Sequence, residues 1–176
     1  RSVYRMPSQG WYFDSVQPTT MSDEIDLEDV EAYKARQRRV TDEELDFVRQ
    51  KSEMLYRETH KALVCQVPGP NLGQPDSFTF ADWMIVLATE KSYVNDLFNV
   101  MVEVSLENLR AFRDALGDRI EVAMVSGMDY GTQRGPLFSP EMFQKLFVPG
   151  WRRVNDWIHE NTNWKTFFHS CGSVHD

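Results

Sequence analysis

The sequence is poor in three things, and each scarcity excludes a class of protein. Its apolar runs are short, as at residues 84–88, against the roughly 20 residues needed to cross a bilayer. A membrane-spanning helix is not expected. Positive charge is scarce: 19 Lys and Arg stand against 27 Asp and Glu, and a net charge of −8 gives no field that would gather phosphate backbones or anionic lipid. Nucleic acid and membrane surfaces are therefore not expected as partners. Cysteine is limited to Cys65 and Cys171, far apart in the chain, which is no disulfide framework and leaves at least one thiol for chemistry. The first residues, Arg1-Ser2-Val3-Tyr4-Arg5, lack an apolar stretch followed by small residues, so no signal peptide is expected and the setting read from the sequence is cytoplasmic.

What the chain has in quantity is apolar and aromatic material. Of its 176 residues 41% are hydrophobic, with 11 Phe, 5 Trp and 6 Tyr, ample for a packed core and contrary to disorder. The length suits one ordinary domain. Residues 3–6 and 11–13 are β-prone and flank Pro7-Ser8-Gln9-Gly10, the pattern of a hairpin. Residues 20–31 turn acidic and are followed by Arg36, Arg38 and Arg39, which reads as a solvated helix and linker through residue 40.

From residue 41 the grammar changes. Thr41-Asp42-Glu43-Glu44 is a capping box that starts a helix carrying Leu45, Val48 and Leu55 and ending near His60. Residues 61–67 read as a short buried strand stopped by Pro68-Gly69-Pro70. Residues 80–89 are expected to be helical, and Ser92 is expected to cap a longer helix with Val94, Leu97, Phe98, Met101, Phe112 and Leu116 on one stripe and Gly117 just past its end. Residues 120–126 form a second strand, running into a polar, Gly-rich loop at 127–135. Ser139-Pro140-Glu141 opens a further helix, with a kink or break expected at Pro149-Gly150. Residues 165–169 form a third strand. Strands alternating with helices predict a parallel sheet with helical crossovers. A parallel strand needs both faces covered, yet no helix follows the last one. The expected fold is therefore α/β: a single domain over residues 1–176, entered by an N-terminal hairpin with βα units over 41–176, forming part of a (β/α)8 barrel whose complete form takes roughly 250 residues.

Sites in such folds lie where strands end, in loops at 68–77, 127–135 and 169–176. In the last of these, His169 and Cys171 are two residues apart at a strand end and so share a face. Imidazole and thiolate are both good zinc donors, and Gly172 allows a sharp turn beyond them. Taken alone, His-x-Cys also arises by chance. A catalytic zinc takes three protein ligands, and the third is expected downstream, although His175 and Asp176 carry suitable donor atoms. In the middle loop, Asp129, Tyr130, Gln133 and Arg134 bring a carboxylate, a phenol, an amide and a guanidinium together, a set able to position a polar or anionic substrate. Alternatively, Asp129 orders its loop by accepting backbone N–H groups while Arg134 pairs with a helix carboxylate. Cys65, alternating with Leu63 and Val67, reads as a small core residue, and His60 and His159 as surface residues.

The run from Asp129 to Phe143 (Asp-Tyr-Gly-Thr-Gln-Arg-Gly-Pro-Leu-Phe-Ser-Pro-Glu-Met-Phe), followed by Phe167-Phe168-His169-Ser170-Cys171-Gly172-Ser173, resembles the uroporphyrinogen decarboxylase superfamily. Within it, the likeness is to the zinc-dependent, corrinoid-linked methyltransferases, such as methylcobalamin:coenzyme M methyltransferases. Upstream, Gly10-Trp11-Tyr12-Phe13-Asp14 and the strand before Pro68-Gly69-Pro70 resemble the family more loosely. The resemblance implies a (β/α)8 barrel of which this sequence supplies the middle. It implies zinc held by His169, Cys171 and a distant cysteine, a corrinoid methyl donor on a partner protein, and a thiol or tetrahydrofolate acceptor. The decarboxylase branch would instead use Asp129 catalytically on a tetrapyrrole, without metal. A third reading, a non-catalytic fragment, is separated from the others by restoring flanking sequence. Open strand edges also predict pairing with another chain, for instance as a homo-oligomer.

Overall fold

The computed structural model of the chain describes residues 4–5, 8, 14–15, 22, 24–125 and 128–174. It divides into two compact units, residues 1–27 with 74–90 and residues 28–73 with 91–176.

In the first unit, β1 (Tyr4–Arg5) pairs antiparallel with β2 (Asp14–Ser15), with Tyr4 opposite Ser15. An N-terminal antiparallel pair is thus present; the expected second run, Trp11–Phe13, lies outside the described residues. The helix at residues 80–89, Phe80–Thr89, is the unit's main element, with Trp83, Val86 and Leu87 buried. Its start is set by Thr79, whose hydroxyl accepts from the Asp82 N–H and donates to the Asp82 carboxylate. That carboxylate is itself buried and accepts from both the N–H (3.0 Å) and the hydroxyl (2.8 Å) of Ser22.

The second unit holds α1 (Val30–Arg36), α2 (Asp42–Glu58) and β3 (Val64–Gln66). With the first unit's helix counted as α3, it continues with α4 (Lys91–Leu116), β4 (Val122–Val125) and α5 (Pro140–Met142). A wide π turn (Phe143–Phe147), α6 (Val148–Asn161) and β5 (Lys165–Phe168) complete it. The three strands form one parallel sheet in the order β3-β4-β5. Parallel neighbours require crossovers, and α4 and α6 supply them. The fold is therefore mixed α/β with a parallel sheet, as the alternation of elements predicts.

The capping box at Thr41 forms as read: its hydroxyl accepts from Glu44 N–H and the Glu44 carboxylate reaches back to Thr41 N–H. Gly117 takes a positive φ of 56° and ends α4 through an N–H bond to the Arg113 carbonyl. All six residues of the expected α4 stripe are buried. The helix spans 26 residues, about 39 Å at 1.5 Å each, and packs against α1, α2, the π turn and α6. Among its buried polar groups, Asn108 clamps the preceding linker by donating to the Arg38 carbonyl and accepting from Val40 N–H.

Two helix expectations are corrected. Ser92 is not a cap: Glu90 alone separates α3 from α4, and Ser92 falls in the first turn of α4. Nor does the chain break at Pro149-Gly150. There α6 runs on through both residues, with Pro149 in its first turn. Because proline has no N–H, the Lys145 carbonyl loses its usual partner, and the irregularity moves upstream: Val148 N–H reaches five residues back to Phe143. Gly150 is buried against α4, where a Cβ would meet Leu72 at 2.8 Å and Val102 at 3.1 Å.

Strand alternation splits the sheet into two chemically different faces. The register puts Cys65, Ala123, Val125, Thr166 and Phe168 on one face, where Ala123 and Val125 are fully buried. Val64, Gln66, Val122, Met124, Lys165 and Phe167 fall on the other. That face is open, with Val64 62% and Phe167 52% exposed. Cys65 is half-buried on the covered side, and His60 and His159 are exposed. Among the described residues, no helix is long and apolar enough to cross a membrane.

Candidate metal centre

The three strands end at one edge of the sheet, and the three loops that follow them are tied together there. After β3, the Pro68 carbonyl is held by the Ser105 hydroxyl on α4 (2.8 Å), and Leu72 is fully buried. After β4, a narrow turn runs out and back: Gly131 bridges Pro136, Leu137 N–H bonds the Tyr130 carbonyl, and Thr132 closes the tip onto Gly135. After β5 come His169, Ser170 and Cys171, and then Gly172 at φ +92°, the sharp turn expected of a glycine there.

Tyr130 joins all three loops. Its ring is only 4% exposed, and its hydroxyl donates to the Leu72 carbonyl (3.1 Å) and accepts from Trp151 Nε1–H (2.8 Å). Its backbone N–H donates to the Ser170 hydroxyl (2.8 Å). Burial pushes its phenol far above the usual range, so it stays neutral at any working pH. Gln133 and Arg134, by contrast, sit on the exposed tip of the narrow turn.

The structure gathers Asp129, His169 and Cys171 at this edge. One ligand atom from each lies within 4.8 Å of the others, and all three residues are exposed. His169 Nε2 is 3.2 Å from Cys171 Sγ and 3.9 Å from Asp129 Oδ1. Cys171 N–H donates to Asp129 Oδ1 at 2.7 Å, so the carboxylate also orders the loops, as the second reading of Asp129 expected. The negative charge of Asp129 is the main cause that lifts the Cys171 thiol above its ordinary range, because it opposes a second anion beside it. Around a tetrahedral zinc, bonds of about 2.0–2.3 Å place neighbouring donor atoms about 3.4–3.6 Å apart. The nitrogen–sulfur distance of 3.2 Å is a little short of that span and the nitrogen–oxygen distance of 3.9 Å a little beyond it, so the group could hold a small divalent cation.

Beside the cluster lies a pocket of about 300 Å³, walled mainly by Tyr130, Phe138, Phe143 and Phe168. The π turn builds one wall: widening the helix there sets Phe143 against Tyr130, with ring centroids 5.1 Å apart.

Sequence reasoning singled out His169, Cys171 and Asp129 separately, the first two for a metal and the third for the substrate, and the structure brings all three together. The proximity of Asp129 depends on strand register, which no local pattern carries. The paired glycines, Gly131 and Gly172, are its one visible signal. Comparison with protein-family models, curated proteins and solved structures finds no match to this chain.

Proposed function

We propose that this chain forms the metal-holding part of a methyltransferase that moves a methyl group from a corrinoid carrier to a thiol or tetrahydrofolate acceptor. The observation that carries this reading is the placement of His169 Nε2 and Cys171 Sγ 3.2 Å apart at the end of a parallel strand, where the active sites of such folds lie. The sheet supports the partial-barrel part of the proposal. One face is packed by helices and the other, bearing Val64 and Phe167, is the side a closed barrel would turn inward.

Zinc, when bound, supplies the positive charge that keeps a thiol acceptor deprotonated near neutral pH. The residues of the chain do the rest. His169 and Cys171 offer one nitrogen and one sulfur lone pair. Asp129 accepts the Cys171 N–H and so fixes where the sulfur points. Gln133 and Arg134, on the tip of the neighbouring turn, are placed to bind a polar or anionic end of the acceptor. Tyr130 serves from within, holding the three loops in register. In the transfer itself the acceptor's electron pair makes the new bond to the methyl carbon, and cobalt keeps the pair from the bond that breaks. A cytoplasmic setting and a corrinoid-protein partner belong to the same proposal. Decarboxylation of a tetrapyrrole ranks below it, because the Asp129 carboxylate is turned toward Cys171 and His169.

The test is thiol-dependent or folate-dependent demethylation of methylcobalamin by the zinc-loaded protein, followed by the cobalamin spectrum. Turnover lost in Cys171→Ser is the expected result. Demethylation that is absent with both acceptor classes, or unchanged in Cys171→Ser, overturns the proposal.

A further inference from the structure

A metal bound only by His169 and Cys171 would lack a third protein ligand, and the resemblance looks for it in a distant cysteine. The geometry points to a nearer donor: we propose that the Asp129 carboxylate is that ligand, so that the chain by itself holds a divalent cation through one oxygen, one nitrogen and one sulfur. The inference shares its two other ligands with the function proposed above and otherwise stands on separate observations.

Distance is the first. Asp129 Oδ1 is 3.9 Å from His169 Nε2, and all three donors fall within 4.8 Å, so side-chain rotations that move them by roughly an ångström bring them to tetrahedral spacing. The second is that this proximity is built in. Tyr130 N–H to Ser170 Oγ (2.8 Å), Cys171 N–H to Asp129 Oδ1 (2.7 Å) and Ser173 N–H to the Thr132 carbonyl (2.8 Å) tie the two loops at three successive points. Between these bonds the backbones of Gly131 and Gly172 touch. A Cβ on Gly131 would lie 2.9 Å from the Gly172 carbonyl carbon, and one on Gly172 would lie 2.3 Å from that of Gly131. Only two glycines allow so close an approach, and it sets Asp129 beside the His-x-Cys pair.

Charge is the third. A carboxylate and a thiolate side by side repel each other, and a dication between them turns the repulsion into attraction. Nitrogen and sulfur donors favour zinc or cobalt over calcium or magnesium. The side chains of His169 and Asp129 are about half exposed, at 48% and 53%, which leaves a fourth position open to an exchangeable ligand.

The experiment titrates the metal-stripped 176-residue chain with Co2+ and reads the thiolate-to-cobalt absorption and the visible bands, in a Cys65→Ser background so that only Cys171 reports. One Co2+ per chain with a thiolate band is expected, and Cys171→Ser removes that band. Asp129→Asn keeps an oxygen to accept the Cys171 N–H, yet is expected to weaken Co2+ binding by more than about tenfold, since even changes beyond the ligands cost that much. It should also alter the visible bands. Asp129→Cys gives a second readout: a sulfur at a true ligand position adds a second thiolate contribution and about doubles that band. Asp129→Asn with unchanged affinity and bands, or Asp129→Cys with an unchanged thiolate band, overturns the assignment of Asp129 and leaves the two-residue site intact. Failure of the parent protein to bind Co2+ overturns both.

Discussion

Cys171 and Cys65 are both raised above the ordinary thiol range, for opposite reasons. Burial raises Cys65, whereas the neighbouring Asp129 charge is the main cause at exposed Cys171. In metal-free protein with Cys65→Ser, alkylation of Cys171 should therefore reach half its limiting rate above about pH 8.5, where a free thiol titrates. Asp129→Asn removes the opposing charge and should move that midpoint down, as pH–rate profiles read by mass spectrometry would show; an unmoved midpoint refutes the electrostatic cause. Asp82 works in the other direction. The Thr79 hydroxyl first, then the Ser22 N–H, hold its carboxyl below the usual carboxylate range. Its folded-state value lies below its unfolded one, so its contribution is complete above about pH 4 and is lost as pH falls further. Unfolding midpoints measured from pH 5 down to 2 should drop more steeply for the wild type than for Asp82→Asn. His169 and Cys171 could be read from sequence because a period of two is a local property. The neighbours of Asp129 and Asp82 could not, since Cys171 and Ser22 come from segments far away in the chain.

Helix ends were the most legible elements, because the cap and the turn it closes are neighbours in sequence. Thr41, Ser139 and Gly117 each act where the pattern placed them. The wide turn at Phe143–Phe147 was not legible. A proline signals that a hydrogen bond is missing, and the surrounding packing decides on which side of it the helix gives way. Phe147, fully buried, shows what is gained: it contacts Phe98, Phe138 and Phe143 with ring centroids 4.8 to 5.5 Å apart. Phe147→Ala should cost about 3–5 kcal/mol in denaturant unfolding. A loss under about 1 kcal/mol would mean that this aromatic cluster contributes little. Gly172→Ala is a sharper probe of the loop contact. Its positive φ and the 2.3 Å approach to Gly131 predict a stability loss of at least about 1–3 kcal/mol together with weaker metal binding.

Across the second unit, the open face of the sheet is the feature with the widest reach. Val64 and Phe167 lie on it in β3 and β5, the two outer strands, with β4 between them. Apolar side chains beside free backbone edges invite pairing with other strands. Sedimentation should therefore show concentration-dependent association, reduced in a Val64→Lys, Phe167→Lys variant; a wild type that stays monomeric at high concentration counts against it. The α/β alternation was legible because each strand and each helix carries its own period, and the faces follow once the parallel register is known. The contact between Gly131 and Gly172 has a kinetic consequence. Asp129 and Cys171 are 42 positions apart, and α6 must fold and β5 must dock beside β4 before they meet. Non-local contacts of this kind close late. An ion held by Asp129 together with Cys171 would therefore be captured by a sheet already assembled rather than seed the collapse of the chain, and the rate of its uptake by refolding protein would be a clock for the last step of folding.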